Sequence, residues 1–328
     1  MERERRRIQQ LALIVAIISF SSLAVVNANQ IASEGSDPYD RFKRATPDVT
    51  QVAEPRPNGT VFTAYRGGEG HLVAIHPNGT LRFYLNQHSE YYDVDPLDDD
   101  RVLVAATHEY IQSECPADHA CSLNQVLIVD LATGNVTPIY ERYRPYIRTN
   151  EWHDVDKIGD DRYLIAGMEE ERVFIVNTST GIITWAWDPQ QAYDIASGGS
   201  RVLSADAWPF DWTHLNDVEL LDDGRIMVSM RNHDQVIFIN RSEGLQDSWT
   251  LGQDDKTTVL FEPHNPDYIP TENGGPAILI ADSQNNRIVE YQRTNDSWRR
   301  SFVWADVTMQ WPRDADRLPN GHTLIADT

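Results

Sequence analysis

Three histidines recur at the start of successive apolar segments of this 328-residue sequence: His153, His214 and His264. Arg231 ends the apolar run that follows His214, and Arg313 takes the equivalent place in the last segment. A neutral imidazole serves as a nucleophile or as a general acid and base near neutral pH. The planar guanidinium fork of Arg matches the oxygens of a tetrahedral oxyanion. Together these residue types are what chemistry on a tetrahedral oxyanion such as a sulfuryl group would need.

Several common catalytic motifs are absent from the sequence. It contains no Gly-rich phosphate loop, no Gly-x-Ser-x-Gly nucleophile elbow and no His-Glu-x-x-His helix. We therefore predict no nucleotide-dependent mechanism, no cofactor and no required metal. The formal net charge is -22, and Lys occurs only at Lys43, Lys157 and Lys256. Because phosphate neutralisation needs a basic patch, nucleic acid is excluded as a partner.

An Asp between apolar residues opens each of five repeats along the chain. Each repeat continues through an acidic or Gly-containing turn into an apolar run, and it ends in two further strands. Four short strands per unit, at a spacing of about 50 to 60 residues, predict the blades of an all-β β-propeller. No segment has the 3.6-residue periodicity of a long helix. The repeated aspartates are Asp93, Asp154, Asp217, Asp267 and Asp314.

The histidines fall where the innermost strand of a predicted blade begins. These positions open onto the central funnel of a propeller, so residues far apart in sequence converge there. The repeated aspartates also occur in units without His. We interpret them as blade architecture that accepts hydrogen bonds from turn backbone, with catalytic carboxylates as the alternative. Trp212 and Trp311 lie near the funnel entry, where they could stack on an aryl ring.

The number of blades depends on how the two ends of the chain are used. Residues 72–84 have the form of the third and fourth strands of a blade, whereas the chain terminates after a first and second strand. Joining both ends into one blade gives five blades and protects the exposed edges. The alternative is a six-bladed propeller that lacks its end.

The first 28 residues predict a signal peptide or a transmembrane anchor. A basic start, residues 1–7, precedes an apolar stretch over residues 11–26, so the basic end stays inside. The stretch is short for a spanning helix, and Val26-Asn27-Ala28 resembles a cleavage site, so both interpretations remain open. Residues 29–60 are a polar linker, and residues 61–328 form the propeller. We expect the protein at the outer face of the cell membrane or secreted.

Further features agree with export. Cys115 and Cys121 are the only cysteines, and their spacing predicts a small loop disulfide rather than a zinc site. The acidic, Lys-poor composition indicates adaptation to high salt, with an ordinary acidic surface protein as the alternative. Six sequons predict a glycoprotein, although Asn-Gly-Thr is also plain turn chemistry. They begin at Asn58, Asn78, Asn135, Asn177, Asn240 and Asn295.

One stretch of the sequence resembles a known family. Trp212-Thr-His-Leu-Asn216-Asp, followed by Ile226-Met-Val-Ser-Met-Arg231, is similar to the His-x-Asn and Ser-x-Arg elements of the arylsulfate sulfotransferases. These bacterial enzymes are exported propellers that do not use phosphoadenosine phosphosulfate. The resemblance spans about residues 60 to 328, and with the acidic composition it suggests a haloarchaeal type of the family.

The resemblance implies a role for each site residue. The family has two His, an Arg and a final His in that order, which His153, His214, Arg231 and His264 follow. His264 would become sulfohistidine, Arg231 would bind the sulfuryl oxygens, and His214 and His153 would assist binding and proton transfer. The predicted substrate-binding residues are Asn216, Arg313 and Trp212.

The resulting prediction is an arylsulfotransferase that acts on a small-molecule aryl sulfate and a phenolic or hydroxyl acceptor. The bacterial family has six blades, whereas five repeats are visible here. The competing interpretation is a non-catalytic extracellular propeller that binds a surface protein, a glycan or a small anion. A third interpretation is hydrolysis of the sulfate ester, with water as the acceptor.

Overall fold

The computed structural model describes residues 59–327 apart from 67, 111–112, 114, 117–119, 145–150, 169, 195–198 and 200–210. The predicted signal or anchor, residues 1–28, and nearly all of the predicted linker, residues 29–60, lie outside the described residues. Within the described part, the chain contains strands and short 3-10 turns, so the all-β prediction is confirmed there. No helix in that part is both long enough and apolar enough to cross a membrane.

The described residues fall into two units. The first unit includes residues 75–84, where the side chain of Asn78 accepts hydrogen bonds from the backbone N–H (3.0 Å) and the hydroxyl (2.7 Å) of Thr80. Gly79 follows in the left-handed region at φ 80°, as a tight turn of this kind requires. The second unit, residues 61–74 and 85–328, contains the blades.

Three strands precede the first complete blade: β1 (Thr60–Arg66), β2 (Glu69–Ile75) and β3 (Leu81–Leu85). Blade one is the sheet β4 (Glu90–Pro96), β5 (Arg101–Tyr110), β6 (Cys121–Asp130) and β7 (Val136–Arg144). Blade two is β8 (Trp152–Lys157), β9 (Arg162–Gly167), β10 (Arg172–Asn177) and β11 (Ile182–Trp187). Each blade pairs its strands in sequence order, as antiparallel neighbours.

Blade three is β12 (Leu215–Leu220), β13 (Arg225–Met230) and β14 (Gln235–Asn240), with an outer strand divided into β15 (Gly244–Leu245) and β16 (Leu251–Gly252). Blade four is β17 (Pro263–Ile269), β18 (Ala277–Asp282), β19 (Arg287–Thr294) and β20 (Ser297–Trp304). Blade five contains β21 (Pro312–Arg317) and β22 (Thr323–Asp327). The five-bladed β-propeller arrangement predicted from the five repeats is therefore confirmed.

The 3-10 turns connect strands within and between the blades. They are Pro189–Gln191, Arg231–His233, Asp247–Trp249, Thr271–Asn273 and Ser283–Asn285.

Apolar side chains from the inner strands of adjacent blades pack on each other. Between blades two and three, Leu164 and Val173 lie in one cluster with Ile226 and Ile237, all fully buried. Fully burying an aliphatic side chain of this size contributes roughly 1.5–3 kcal/mol. The stacking of one blade on the next therefore buries the apolar faces of the strands that the sequence pattern predicts.

The innermost strand of every blade has a register shift just before its repeated Asp. In blade one, for example, the shift lies between Tyr91 and Asp93, and in blade three between Leu215 and Asp217. The same irregularity occurs in β8, β17 and β21. A β-bulge bends its strand and re-aims the side chains beside it. The bulges therefore set the direction of the residues where each blade begins.

Carboxylates near these bulges connect one innermost strand to the next. Each accepts a hydrogen bond from a strand backbone N–H of the following blade. The predicted partner, turn backbone, is therefore wrong for Asp93, Asp154 and Asp267. The pairs are Val155 to Asp93 (3.4 Å), Val218 to Asp154 (2.6 Å), Tyr268 to Glu219 (3.3 Å) and Arg317 to Asp267 (2.8 Å). Carboxylates on the innermost strands thereby tie neighbouring blades together.

The predicted disulfide is present between Cys115 and Cys121, whose Cα atoms are 5.8 Å apart. Cys121 is the first residue of β6, and Cys115 precedes it in the connection from β5. The bond therefore closes a small loop at one end of blade one.

Candidate active site

We call the third residue before each repeated Asp the entry position of its blade. The bulges follow this position directly, so its side chain lies where the innermost strand begins. Two blades have a carboxylate there, two have an imidazole and the last has an indole. In blade order the residues are Glu90, Glu151, His214, His264 and Trp311. The entry positions are accordingly acidic in blades one and two and imidazole-bearing in blades three and four.

His214 is hydrogen-bonded at both ring nitrogens. Its Nδ1 lies 2.8 and 2.9 Å from the two carboxylate oxygens of Asp211, and its Nε2 lies 2.9 Å from Nη1 of Arg231. Because Arg can only donate, Nε2 is the accepting nitrogen and Nδ1 carries the proton. Burial, followed by the charges of His153 and Arg231, lowers the pKa of His214 well below its ordinary value. The ring is therefore neutral.

His264 has the same tautomer. Nη1 of Arg313 donates to its Nε2, and its Nδ1 lies 3.0 Å from the carbonyl oxygen of Glu262 and 2.7 Å from Oγ of Ser283. The Ser283 hydroxyl donates to the carbonyl of Pro312 at 2.6 Å, so its oxygen accepts from Nδ1–H. Burial, then the Arg313 charge, lowers the pKa of His264 well below its ordinary value. The Nε2 lone pair consequently faces a guanidinium.

The two arginines have different surroundings. Nε and Nη2 of Arg231 donate to Oε2 of Glu262 at 3.3 and 3.0 Å. The guanidinium of Arg313 lies over the ring of Trp311, 4.5 Å from its centroid, in a cation–π contact. Burial lowers the pKa of Arg313 from its ordinary value, but a guanidinium stays protonated in proteins. The site thus contains two cations, of which Arg231 is paired with a carboxylate.

His153 lies beside His214, with the ring centroids 5.0 Å apart. Its Nε2 is 3.3 Å from Oε2 of Glu151, and its ring lies 4.7 Å from that of Tyr92. The structure therefore brings His153 and His214 together. His264 joins this set through Glu262, which contacts both His264 and Arg231.

The polar residues of the His-x-Asn and Ser-x-Arg elements share one acceptor. Nδ2 of Asn216 and Oγ of Ser229 donate to the carbonyl oxygen of Pro263 at 3.0 and 3.1 Å. Asn216 is 2% exposed. Its side chain is hydrogen-bonded to the backbone of Pro263, the residue before His264. The two elements therefore position the segment that carries His264, which their sequence spacing alone does not indicate.

Trp212 is buried, and its ring packs edge to face on His233 with the centroids 4.9 Å apart. Its backbone N–H donates to Oε1 of Glu171, and the N–H of Thr213 lies 3.2 Å from the same oxygen. Burial raises the pKa of Glu171 to about 8. This buried carboxyl group supports the turn before His214, which itself has a left-handed φ of 50°.

Sequence reasoning missed the partners of the histidines and arginines. Asp211 precedes His214 by three residues and Glu262 precedes His264 by two, so proximity in sequence was a signal for both. Burial raises the pKa of Asp211 to about 6. Ser283 and Glu171 come from neighbouring strands and turns, and no sequence motif marks them. Among the described residues, no group of three or more His, Cys, Asp or Glu is arranged to hold a metal ion.

A family model described as Arylsulfotransferase (ASST) matches residues 48–263 of the chain. The match covers more than half of the sequence. It includes His153, His214 and Arg231 and ends one residue before His264. No curated protein matches the chain.

Two solved structures illustrate the likeness in fold. A protein of unknown function from Bacteroides caccae has a TM-score of 0.55 and 10% sequence identity, over 82% of this chain and 83% of that one. A protein of unknown function from Bacteroides thetaiotaomicron VPI-5482 has a TM-score of 0.51 and 11% identity, over 82% of this chain and 64% of that one. At such identities the likeness concerns the fold alone.

Proposed function

Because the chain belongs to the arylsulfotransferase family, we propose that it moves a sulfuryl group from an aryl sulfate to a phenolic or hydroxyl acceptor through a sulfohistidine at His264. The observation that supports this proposal most directly is the contact between Nε2 of the neutral His264 ring and the guanidinium of Arg313. A nucleophilic lone pair beside a cation is what attack on an anionic sulfuryl group requires. No nucleotide cofactor takes part in this proposal.

In the donor half-reaction, Nε2 of His264 attacks the sulfur and the bond from sulfur to the aryl oxygen breaks. The electron pair of that bond leaves with the oxygen as a phenolate, which then takes a proton. Positive charge grows on the imidazole, and the Glu262 carbonyl and the Ser283 oxygen stabilise it at Nδ1–H. Arg313 moves from Nε2 onto a sulfuryl oxygen, where its charge opposes the developing negative charge.

In the acceptor half-reaction, the hydroxyl oxygen of the acceptor attacks the sulfur and the bond between sulfur and Nε2 breaks. The electron pair returns to the His264 ring. His214 takes the acceptor proton at Nε2, because Asp211 at 2.8 Å stabilises the imidazolium that forms. Arg231, now released from His214, binds the sulfuryl oxygens. His153, next to His214, assists the proton transfer.

We also propose that the protein works outside the cytoplasm, with an N-terminal anchor or a cleaved signal. The disulfide between Cys115 and Cys121 supports this, because such bonds persist in oxidising compartments. The apolar stretch over residues 11–26 behind a basic start is the second support. The acidic composition makes molar salt the condition for activity measurements.

The test is release of a coloured phenol from an aryl sulfate in molar salt, with and without a second phenol. We expect the acceptor to stimulate release in the wild-type protein. His264→Ala should lose about a thousandfold of the rate or more. His322→Ala, a change at an exposed residue, is the control. Release that the acceptor does not stimulate would indicate hydrolysis. No release over a panel of donors would favour the non-catalytic binding propeller.

A further inference from the structure

Glu262 is the residue that contacts both halves of the site. Its main-chain carbonyl accepts from Nδ1 of His264, and its side-chain Oε2 accepts from Nε and Nη2 of Arg231. Nε2 of Gln284 donates to the same Oε2 at 3.0 Å. The backbone N–H of Glu262 donates to Asp234 at 2.9 Å, and its φ is 50°. Two residues, Arg231 and Gln284, therefore hold the carboxylate, and two more, His264 and Asp234, bond to the main chain of Glu262.

The charges of the site do not favour a strongly charged anion. Arg231 and Arg313 are cations, whereas Glu262 and Asp211 contribute carboxylates and the His214 and His264 rings are neutral. Any anion that binds Arg231 comes close to Oε2 of Glu262, because that oxygen already occupies one edge of the guanidinium. The arginines attract the anion, and the carboxylate opposes each negative charge that the anion brings.

We propose that Glu262 is a specificity-determining residue that admits singly charged sulfate esters and excludes doubly charged phosphate esters. The inference rests on the proposed function of the same arginines. A sulfate monoester carries one negative charge at neutral pH, whereas a phosphate monoester carries about 1.5 to 2. Repulsion from a fixed carboxylate grows in proportion to that charge. The two esters have similar size and shape, so charge is the property that can separate them.

Binding of two inert analogues tests this without turnover. Benzenesulfonate has one charge, and phenylphosphonate has two at pH 8.5. Titration calorimetry on the whole chain measures both dissociation constants for the wild-type protein and for Glu262→Gln. With an effective dielectric between those of protein and water, removing one charge about 5 Å away is worth about tenfold in affinity per ligand charge. Glu262→Gln should therefore bind benzenesulfonate about tenfold and phenylphosphonate about a hundredfold more tightly.

Glu290→Gln is the matched control. Glu290 forms an ion pair with Arg317 at 2.8 Å, and its side chain is 19% exposed, against 22% for Glu262. It lies on β19, away from the imidazoles, so this variant should bind both analogues as the wild type does. Thermal unfolding of the variants checks that they are folded. If Glu262→Gln does not fold, the two dissociation constants of the wild-type protein test the proposal. Benzenesulfonate should then bind about tenfold more tightly than phenylphosphonate, or better.

Three results overturn the inference. An equal gain for both analogues in Glu262→Gln would mean that Glu262 does not discriminate by charge. Equal or reversed wild-type affinities would mean that the site does not exclude the doubly charged ester. Failure of the wild-type protein and of both variants to bind either analogue would show that Arg231 and Arg313 are not an anion site, which would also contradict their proposed role. Absence of turnover alone would count only against the proposed function, because binding is measured independently.

Discussion

Arg313 in β21 donates a hydrogen bond to Nε2 of His264 in β17, across the boundary between the last two blades. The bond uses the lone pair that a histidine nucleophile needs. A second contact also connects His264 to blade five: Ser283 links the other ring nitrogen to Pro312, in the same strand β21. The position and tautomer of His264 are therefore set by an interface between blades.

Replacing Arg313 should affect both the rate and its dependence on pH. Loss of a cation that stabilises a developing oxyanion typically costs 10²- to 10³-fold in kcat, and we expect that range for Arg313→Gln. The Arg313 charge also contributes to the lowered pKa of His264. On the acid limb of the kcat/KM profile, activity falls because His264 becomes protonated. Without the Arg313 charge the pKa of His264 should rise, so this limb should move to higher pH in the variant. An unchanged acid limb would contradict the contact.

Asn216 and Ser229 should behave as one unit. Each donates to the carbonyl of Pro263, and loss of a neutral hydrogen bond costs about 0.5–1.5 kcal/mol of stability. We expect Asn216→Ala and Ser229→Ala each to lower kcat roughly tenfold through His264. Their effects in the double variant should be less than additive, with a coupling of about 0.5–1 kcal/mol. Full additivity would mean that they do not act through Pro263.

Ser301→Ala provides the control for that cycle. In the outer part of blade four, the Ser301 hydroxyl lies 2.7 Å from Oε1 of Glu290 and 3.1 Å from the carbonyl oxygen of the same residue. Its loss should cost a similar amount of stability, and kcat should stay unchanged. A drop in kcat for Ser301→Ala would indicate that general destabilisation explains the other two variants.

Stability should fall as the pH rises from 6.5 to 8. Burial raises the pKa of Glu219 to about 8. A carboxyl group with a raised pKa stabilises the fold fully below its unfolded value, and this contribution is lost as the pH rises through the folded pKa. Each such group contributes a slope of about 1.4 kcal/mol per pH unit in that window. The histidines with lowered pKa add no slope above about 6.5, their unfolded value.

Urea unfolding at pH 6.5, 7.5 and 8.5 measures this slope. Glu219→Gln keeps an acceptor for the N–H of Tyr268 and should show a shallower fall than the wild-type protein. Glu243→Gln, at an exposed turn, should leave the slope unchanged. Identical slopes in all three proteins would contradict the assignment to Glu219.

Removing the disulfide should lower stability and leave the chemistry intact. Cys115 and Cys121 close a loop with a sequence separation of 6, for which chain entropy predicts about 2 kcal/mol. We expect the double variant Cys115→Ser/Cys121→Ser to unfold at a lower urea concentration with an unchanged kcat. A large loss of kcat would connect this loop of blade one to the active site.

The repeats predicted the fold because an apolar strand pattern recurs at a regular spacing, and each blade can bury its faces only against the next. The order of His153, His214, Arg231 and His264 along the chain predicted them as one site, and whether they carry the chemistry stays a prediction. His214 and His264 hold equivalent positions, three residues before a repeated Asp, whereas His153 directly precedes Asp154. Sequence spacing carries no information about which side chain crosses a blade boundary. Arg313 was predicted at a place equivalent to that of Arg231, which is wrong, because Arg313 lies in the innermost strand β21 whereas Arg231 follows the second strand β13. Its contact with His264 could not be predicted from the sequence.

The partners of the repeated aspartates were missed for a related reason. Asp154 accepts from Val218 in the next blade, and only the stacked arrangement brings that backbone N–H near it. Glu262 precedes His264 by two residues, but the sequence reveals neither its pairing with Arg231 nor its left-handed φ. Trp212, predicted to contact substrate, packs on His233 instead of lying open at the entry, and its role in binding stays a prediction.

The central claim is that His264 carries the sulfuryl group between donor and acceptor. The direct measurement mixes the protein with an aryl sulfate without acceptor, quenches in alkali, and analyses the peptide that contains His264 by mass spectrometry. We predict one sulfuryl group on that peptide, one phenol released per protein molecule, and loss of the modification when a phenol acceptor is added before the quench. An unmodified His264 during acceptor-dependent phenol release, or a sulfuryl group on another residue, would contradict the account.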